Sequence, residues 1–226
     1  MSTVKSFSVG NGDMFYINHN SKNFTIIDCC NINLVDDYWK SIVAEVKSIA
    51  DANEIVRFIS THPDDDHIAG LKYLDDVLKI LNVYCVNNET TKEDITEDFT
   101  RYCELRNSEK KAFYLTRDCQ RKWMNQEDET RGSSGINIYW PECENDAFIN
   151  ELIAVKDGQS PNNISPIFTY SIENGVRIMW MGDLEMVFMD TISEDLELPK
   201  AHILFAPHHG RESGKVPQVL LDKIDP

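Results

Sequence analysis

The chain has 226 residues, the length of one medium-sized domain. Its 22 Lys and Arg stand against 38 Asp and Glu, and the formal charge of −16 excludes a general polyanion-binding surface, which needs excess positive charge to displace counterions. A hydrophobic fraction of 42% excludes a disordered acidic chain, no run approaches the ~18 apolar residues of a membrane span, and no basic start followed by an apolar run opens the sequence, so a cytoplasmic protein is expected.

Val4 to Val9, Met14 to Asn18 and Phe24 to Ile27 predict three strands in a meander, parted by the turn signals Gly10-Asn11-Gly12 and Asn18-His19-Asn20. Leu34 to Ala52 carries apolar residues at Tyr38, Trp39, Ile42, Val43, Val46 and Ile49, a helical spacing, and Ile55 to Ser60 reads as a buried strand. Helical periodicity resumes over Ile68 to Ile80, and Val83 to Val86 predicts another strand. From Thr90 to about Asn125 the sequence is polar and helix-like, which predicts an insertion on the surface. After a Gly132-Ser133-Ser134-Gly135 linker, strands are predicted at Ile136 to Trp140, Ile167 to Ile172 and Val176 to Met181, the last two joined by a Glu173-Asn174-Gly175 turn. A helix over Glu185 to Ser193, a strand over His202 to Ala206 and a helix over Lys215 to Lys223 follow. Strand meanders interleaved with strand–helix units predict an α/β fold of two mixed sheets covered by helices. Cys29 and Cys30 are adjacent and Cys85, Cys103, Cys119 and Cys143 are scattered without CxxC spacing, so reduced structural thiols are expected rather than a zinc site.

The most informative stretch is Thr61-His62-Pro63-Asp64-Asp65-Asp66-His67-Ile68-Ala69-Gly70, between a predicted buried strand and a predicted helix. Two imidazoles and two carboxylates within six residues, on a loop anchored by a rigid strand end, suit a metal site completed from elsewhere. A solvated acidic turn capped by Asp66 is the competing reading. HPDDDH resembles the HxHxDH signature of the metallo-β-lactamase fold superfamily, with Asp64 in place of the second histidine. The wider string Ser60 to Leu71 is similar to the variant in the soluble C-terminal domain of ComEC-type competence proteins. Other blocks agree in order: Val9-Gly10-Asn11-Gly12-Asp13 resembles that family's VGQGD, Ile26-Ile27-Asp28 its LID, Asn162-Asn163-Ile164-Ser165 its NNxS, Met181-Gly182-Asp183-Leu184-Glu185 its TGDxE, and Pro207-His208-His209-Gly210 its HHG. The likeness runs from about residue 4 to 214 and leaves the polar insertion near 90–130 unmatched.

The resemblance implies a four-layer αβ/βα sandwich with one hydrolase domain over residues 1–226. Such domains usually add a further strand and helix after the HHG block, so the resemblance implies either a second sheet that ends early or a fragment of a longer protein, with an exposed sheet edge at the C-terminus that another domain or subunit could meet. By motif position, His62 and Asp64 would bind one metal and Asp66 and His67 the other, with Asp183 bridging. Either His208 or His209 would complete the second site, with His208 favoured as the first after the strand. Asp13 and Asp28 would orient ligands, with a turn or cap role nearly as well supported for each. The six histidines are at 19, 62, 67, 202, 208 and 209, so the superfamily's usual third histidine is absent and Asn162 or Asn163 stands in its neighbourhood. An oxygen-rich first site moves preference from zinc towards manganese or magnesium, with one or two divalent ions bound.

Such a site activates water against an electrophilic centre, with Asp66, His67 and Asp183 as the catalytic groups. The fold alone does not select a substrate. The ComEC-like subgroup implies phosphodiesters, hence a nuclease acting on nucleic acid or nucleotides by local contact, in a bacterial and, for stand-alone relatives, antiviral setting. Between Arg106 and Lys122 the residues Lys110, Lys111, Arg117, Arg121 and Lys122 are interleaved with Phe113 and Tyr114, a pattern that suits a nucleic-acid backbone and stacked bases or, equally, a solvated helix. Arg211, directly after HHG, is better placed to hold a scissile phosphate. The alternatives are a catalytically degenerate regulatory or partner-binding module and a hydrolase of small esters or lactones.

Overall fold

Strands alternate with helices along the chain, and both sheets they build are mixed, which makes this an α/β protein. The computed structural model describes residues 2–127, 129, 135–171 and 175–226. The expected Gly132-Ser133-Ser134 linker and the Glu173-Asn174 part of the hairpin turn lie outside the described residues. The chain divides into two compact units, Met1–Cys85 with Lys92–Tyr114 and Val86–Thr91 with Leu115–Pro226. Among the described residues no helix is long and apolar enough to cross a membrane.

The first unit holds a six-stranded sheet in sequence order: β1 (Thr3–Ser6), β2 (Phe15–Asn18), β3 (Asn23–Ile27), β4 (Ile55–Ile59), β5 (Asn82–Cys85) and β6 (Ala112–Tyr114). The first three strands are antiparallel and the last four pair in parallel. Every residue of β3 and β4 is buried, as expected for central strands covered on both faces. Helix α1 (Asp36–Ala50) turns Trp39, Ile42, Val43 and Val46 inward, the stripe its spacing predicts. The helix expected over Ile68 to Ile80 is instead two, α2 (Asp65–Ile68) and α3 (Leu71–Leu78). The break falls at Gly70, whose φ of +91° favours glycine and where a Cβ would lie 2.5 Å from the Trp39 ring. Asp98 satisfies the start of α3, accepting from Gly70 N at 2.9 Å and Lys72 N at 2.8 Å.

The expected surface insertion is corrected over its first half. Helix α4 (Glu97–Arg106), capped by Thr96, buries Phe99, Tyr102 and Leu105 in the core of this unit, and β6 extends its sheet. A stripe of three apolar residues in a charged helix is hidden from average hydropathy but is enough to seat it. Asp66 does not cap a helix: Asp64 holds the N-cap position of α2, without a side-chain bond.

The second unit has a four-stranded sheet in the order β10 (Ile203–Leu204), β9 (Ile178–Trp180), β8 (Ile167–Tyr170), β7 (Ile136–Trp140). β7, β8 and β9 are antiparallel, and β10 joins β9 in parallel as one edge. Helices α5 (Asp146–Lys156), α6 (Met186–Ile192) and α7 (Gln218–Ile224) contribute to its core. Trp140 is fully buried, edge-on to Phe148 of α5 and Phe188 of α6 with ring centroids 5.6 and 6.0 Å away. Trp140→Ala is expected to cost about 3–5 kcal/mol, the range for deleting a large aromatic from a packed core, read as a lower denaturation midpoint in urea.

Candidate metal centre

In the first unit the site residues sit where strands end. Asp28 follows β3 with a φ of 52°, a left-handed conformation uncommon outside Gly, Asn and Asp. Thr61 and His62 follow β4, and His67 lies in α2. The Asp28 carboxylate is fully buried and accepts from Thr61 N at 2.8 Å, Thr61 Oγ1 at 2.7 Å and His67 Nδ1 at 2.9 Å. Burial pushes the Asp28 carboxyl up, and the adjacent His67 imidazole is the largest influence opposing it.

These bonds fix both histidine tautomers. His67 donates from Nδ1 to Asp28, which leaves its lone pair on Nε2, the arrangement in which a carboxylate orients an imidazole for metal binding. Thr61 gives its only hydroxyl proton to Asp28, so at 3.1 Å it accepts from His62 Nδ1, and the His62 lone pair is on Nε2 as well. The two rings lie 4.1 Å apart, and both are buried.

The turn carrying Asp13 is bound to this loop by its backbone, Asp13 N donating to Asp66 O at 3.1 Å. Only glycine fits at position 12, since a Cβ there would stand 2.5 Å from both Asp66 O and Cys30 Sγ. Asp64 lies beside a lysine. The Lys92 ammonium lies 3.4 Å from Asp64 Oδ1 and 2.8 Å from Asp65 Oδ1, its side chain only 16% exposed. Burial pushes the Asp64 carboxyl up, and Lys92 is the largest influence pulling it down.

In the second unit Asp183 follows β9 directly after Gly182, and its backbone N donates to Ser165 Oγ at 3.2 Å. Its Oδ2 lies 3.3 Å from His209 Nε2 and 3.8 Å from His208 Nε2. His208, His209 and Gly210 are successive left-handed residues at φ 51°, 54° and 76°. Two non-glycine residues held in that region mark a segment over-determined by its surroundings, a feature concentrated at functional sites. Asn162 and Asn163 serve as braces: Asn162 Nδ2 donates to Glu185 Oε1 at 3.2 Å, and Asn163 Oδ1 accepts from Glu185 N at 3.1 Å. Their amides hold the Asp183–Glu185 loop, where the sequence placed a substitute for the missing histidine.

The basic segment is not one solvated stripe. Arg106 is buried, with its guanidinium 5.6 Å from the centroid of Tyr102. Lys110 and Lys111 belong to the first unit and Arg117, Arg121 and Lys122 to the second. Arg117 is committed to Glu142, Glu197 and Asp118.

Asp13 and His67 in the first unit, and Asp183 and His209 in the second, are donors of the kind that could hold a metal ion. Two imidazoles and two carboxylates suit a borderline or hard divalent cation, so the donor chemistry fits the group implied by the motifs. Relative to the sequence expectation, this set gains Asp13, which was given an orienting role, and omits His62, Asp64, Asp66 and His208. Sequence reasoning assigned no role to Thr61, Lys92 or Ser165. The only sequence signal for them is proximity to a motif, which Lys92 lacks. No protein-family model matches the chain, and no curated protein matches it significantly.

Proposed function

We propose that this chain is a metal-dependent hydrolase of the metallo-β-lactamase fold, cleaving phosphodiesters as a nuclease. The observation that carries the reading is the Asp28–His67 pair: a fully buried carboxylate fixes an imidazole tautomer with its lone pair on Nε2. A purely structural histidine does not require that arrangement. The ordered resemblance from Val9 to Gly210 supports the same reading and supplies the substrate class.

In this reading Asp13 and His67 of the first unit and Asp183 and His209 of the second are the residues that would hold the ion. When bound, a divalent cation lowers the pKa of a water and stabilises negative charge on the electrophile. Ser165 and the Asn162/Asn163 pair fix the loop that presents Asp183, and Thr61 fixes Asp28. We read a single ion, manganese or zinc, because Lys92 already supplies positive charge at Asp64, where the motif comparison put a second one. Arg211 takes an oxygen of the scissile phosphate.

Metal analysis of the purified protein, followed by manganese-supplemented assays on single-stranded DNA, RNA and cyclic dinucleotides, tests this. About one equivalent of metal and turnover lost in His67→Ala and Asp183→Ala are expected. Absence of bound metal together with no mutation-sensitive turnover would favour a partner-binding module, and turnover of esters or lactones alone would move the substrate class.

A further inference from the structure

The two histidines of the His208-His209-Gly210 block have different surroundings. A neutral imidazole has one donor and one acceptor nitrogen, whereas a guanidinium only donates. Arg211 Nη1 lies 3.2 Å from His208 Nε2, so Nε2 accepts. The proton is then on Nδ1, which donates to Ser213 Oγ at 2.9 Å. The lone pair that would serve a metal is thereby engaged by Arg211. His209 is the imidazole nearer to Asp183.

The backbone is wound to hold this contact. Arg211 N donates to His208 O at 2.9 Å and Gly214 N to Arg211 O at 3.0 Å, so two tight turns wrap the buried His208 ring. Gly214 closes the wrap, since a Cβ there would meet Pro207 O at 2.3 Å and His208 Cβ at 2.6 Å. Arg211 is exposed and, among the described residues, forms no ion pair, although Glu212 is its neighbour and the chain carries a net −16. Arg101 and Arg117 are each tied to several carboxylates. A guanidinium oriented by a neutral ring keeps its whole charge for an external anion, and its planar fork suits phosphate oxygens.

We propose that His208 is a positioning residue that aims Arg211 as a phosphate clamp, with Ser213 fixing the imidazole tautomer, and that His209 alone of the pair binds metal. The proposal rests on the phosphodiesterase reading for its substrate and names the part of the site that recognises the phosphate.

Metal content and calorimetric binding of inorganic phosphate, measured on the wild type, His208→Gln, His209→Gln, Arg211→Lys and Ser213→Ala, test it. His208→Gln should retain the wild-type metal equivalent while its phosphate Kd rises about tenfold, the scale of one lost charged hydrogen bond. Arg211→Lys should weaken phosphate at least as much, and in turnover both should raise KM more than they lower kcat. His209→Gln should lose the metal. Metal loss in His208→Gln equal to that in His209→Gln would overturn the assignment, as would phosphate affinity unchanged in both His208→Gln and Arg211→Lys. If His208→Gln fails to fold, Ser213→Ala, at an exposed residue, decides through the same phosphate measurement: weakened binding supports the relay and unchanged binding overturns it. A wild type without metal or turnover would refute the hydrolase reading and the His209 assignment and leave the clamp standing, because phosphate binding by Arg211 is read without either. A wild type that binds no phosphate would refute the clamp.

Discussion

His67→Ala is expected to remove both the bound metal and turnover, and to lower stability even in metal-free protein. The imidazole is fully buried against a fully buried carboxylate. Losing a hydrogen-bond partner of a metal ligand typically costs about 10–100-fold in affinity or activity, so loss of the ligand itself should exceed that range. Removing one member of a buried pair leaves the other uncompensated, a loss of roughly 3–5 kcal/mol. His67→Gln separates the two effects, since its amide can still donate to Asp28 while it offers metal an oxygen in place of an imidazole nitrogen. A urea melt of the metal-free variants should therefore rank wild type above His67→Gln and His67→Ala lowest, with metal content near zero in both variants. His67→Ala retaining a full metal equivalent would remove His67 from the ligand set.

How far this architecture could be read in advance depends on whether the deciding contact is local. Strand and helix signals placed β1 to β5, α1 and the elements after Gly175 to within a few residues, because burial there imposes a regular period on the sequence. Arg57 did not disturb the prediction for β4, although it is a buried charge: its guanidinium donates to Thr25 Oγ1 at 3.0 Å and lies 4.8 Å from the centroid of Tyr84. Helix α5 went unseen for the opposite reason. It buries Phe148 and Val155 but leaves Ile149 and Ile153 exposed, so its apolar residues do not form one clean stripe. In the site, His67 was legible because it closes a run of donors within six residues, and it is the one member of that run in the set that could hold a metal ion. Lys92 was not, since nothing near it in sequence shows that its ammonium reaches Asp64. The surroundings of His208 were equally hidden, since its bonds to Ser213 and Arg211 come from a fold of the backbone that the string HHG does not reveal.

Asp28→Asn is expected to be the most discriminating substitution, because it changes protonation with almost no change in shape. Asn tolerates the left-handed backbone at this position, where Ala would add strain. With one oxygen left, the amide keeps Thr61 N as its donor and turns its NH₂ group towards Thr61 Oγ1 and His67 Nδ1. Nδ1 must then accept, which moves the imidazole proton to Nε2, the nitrogen required for metal. The Asn variant should fold with near-wild-type far-UV circular dichroism and lose metal affinity by at least about 10–100-fold. Turnover at saturating metal should fall by up to about 10⁴-fold, the penalty seen when the equivalent change in a catalytic triad imposes the wrong histidine tautomer. Nitrogen-resolved NMR of the imidazole gives an independent readout: the His67 proton should reside on Nδ1 in the wild type and on Nε2 in Asp28→Asn. Unchanged metal affinity with the proton shifted would show that Nε2 of His67 does not face the metal.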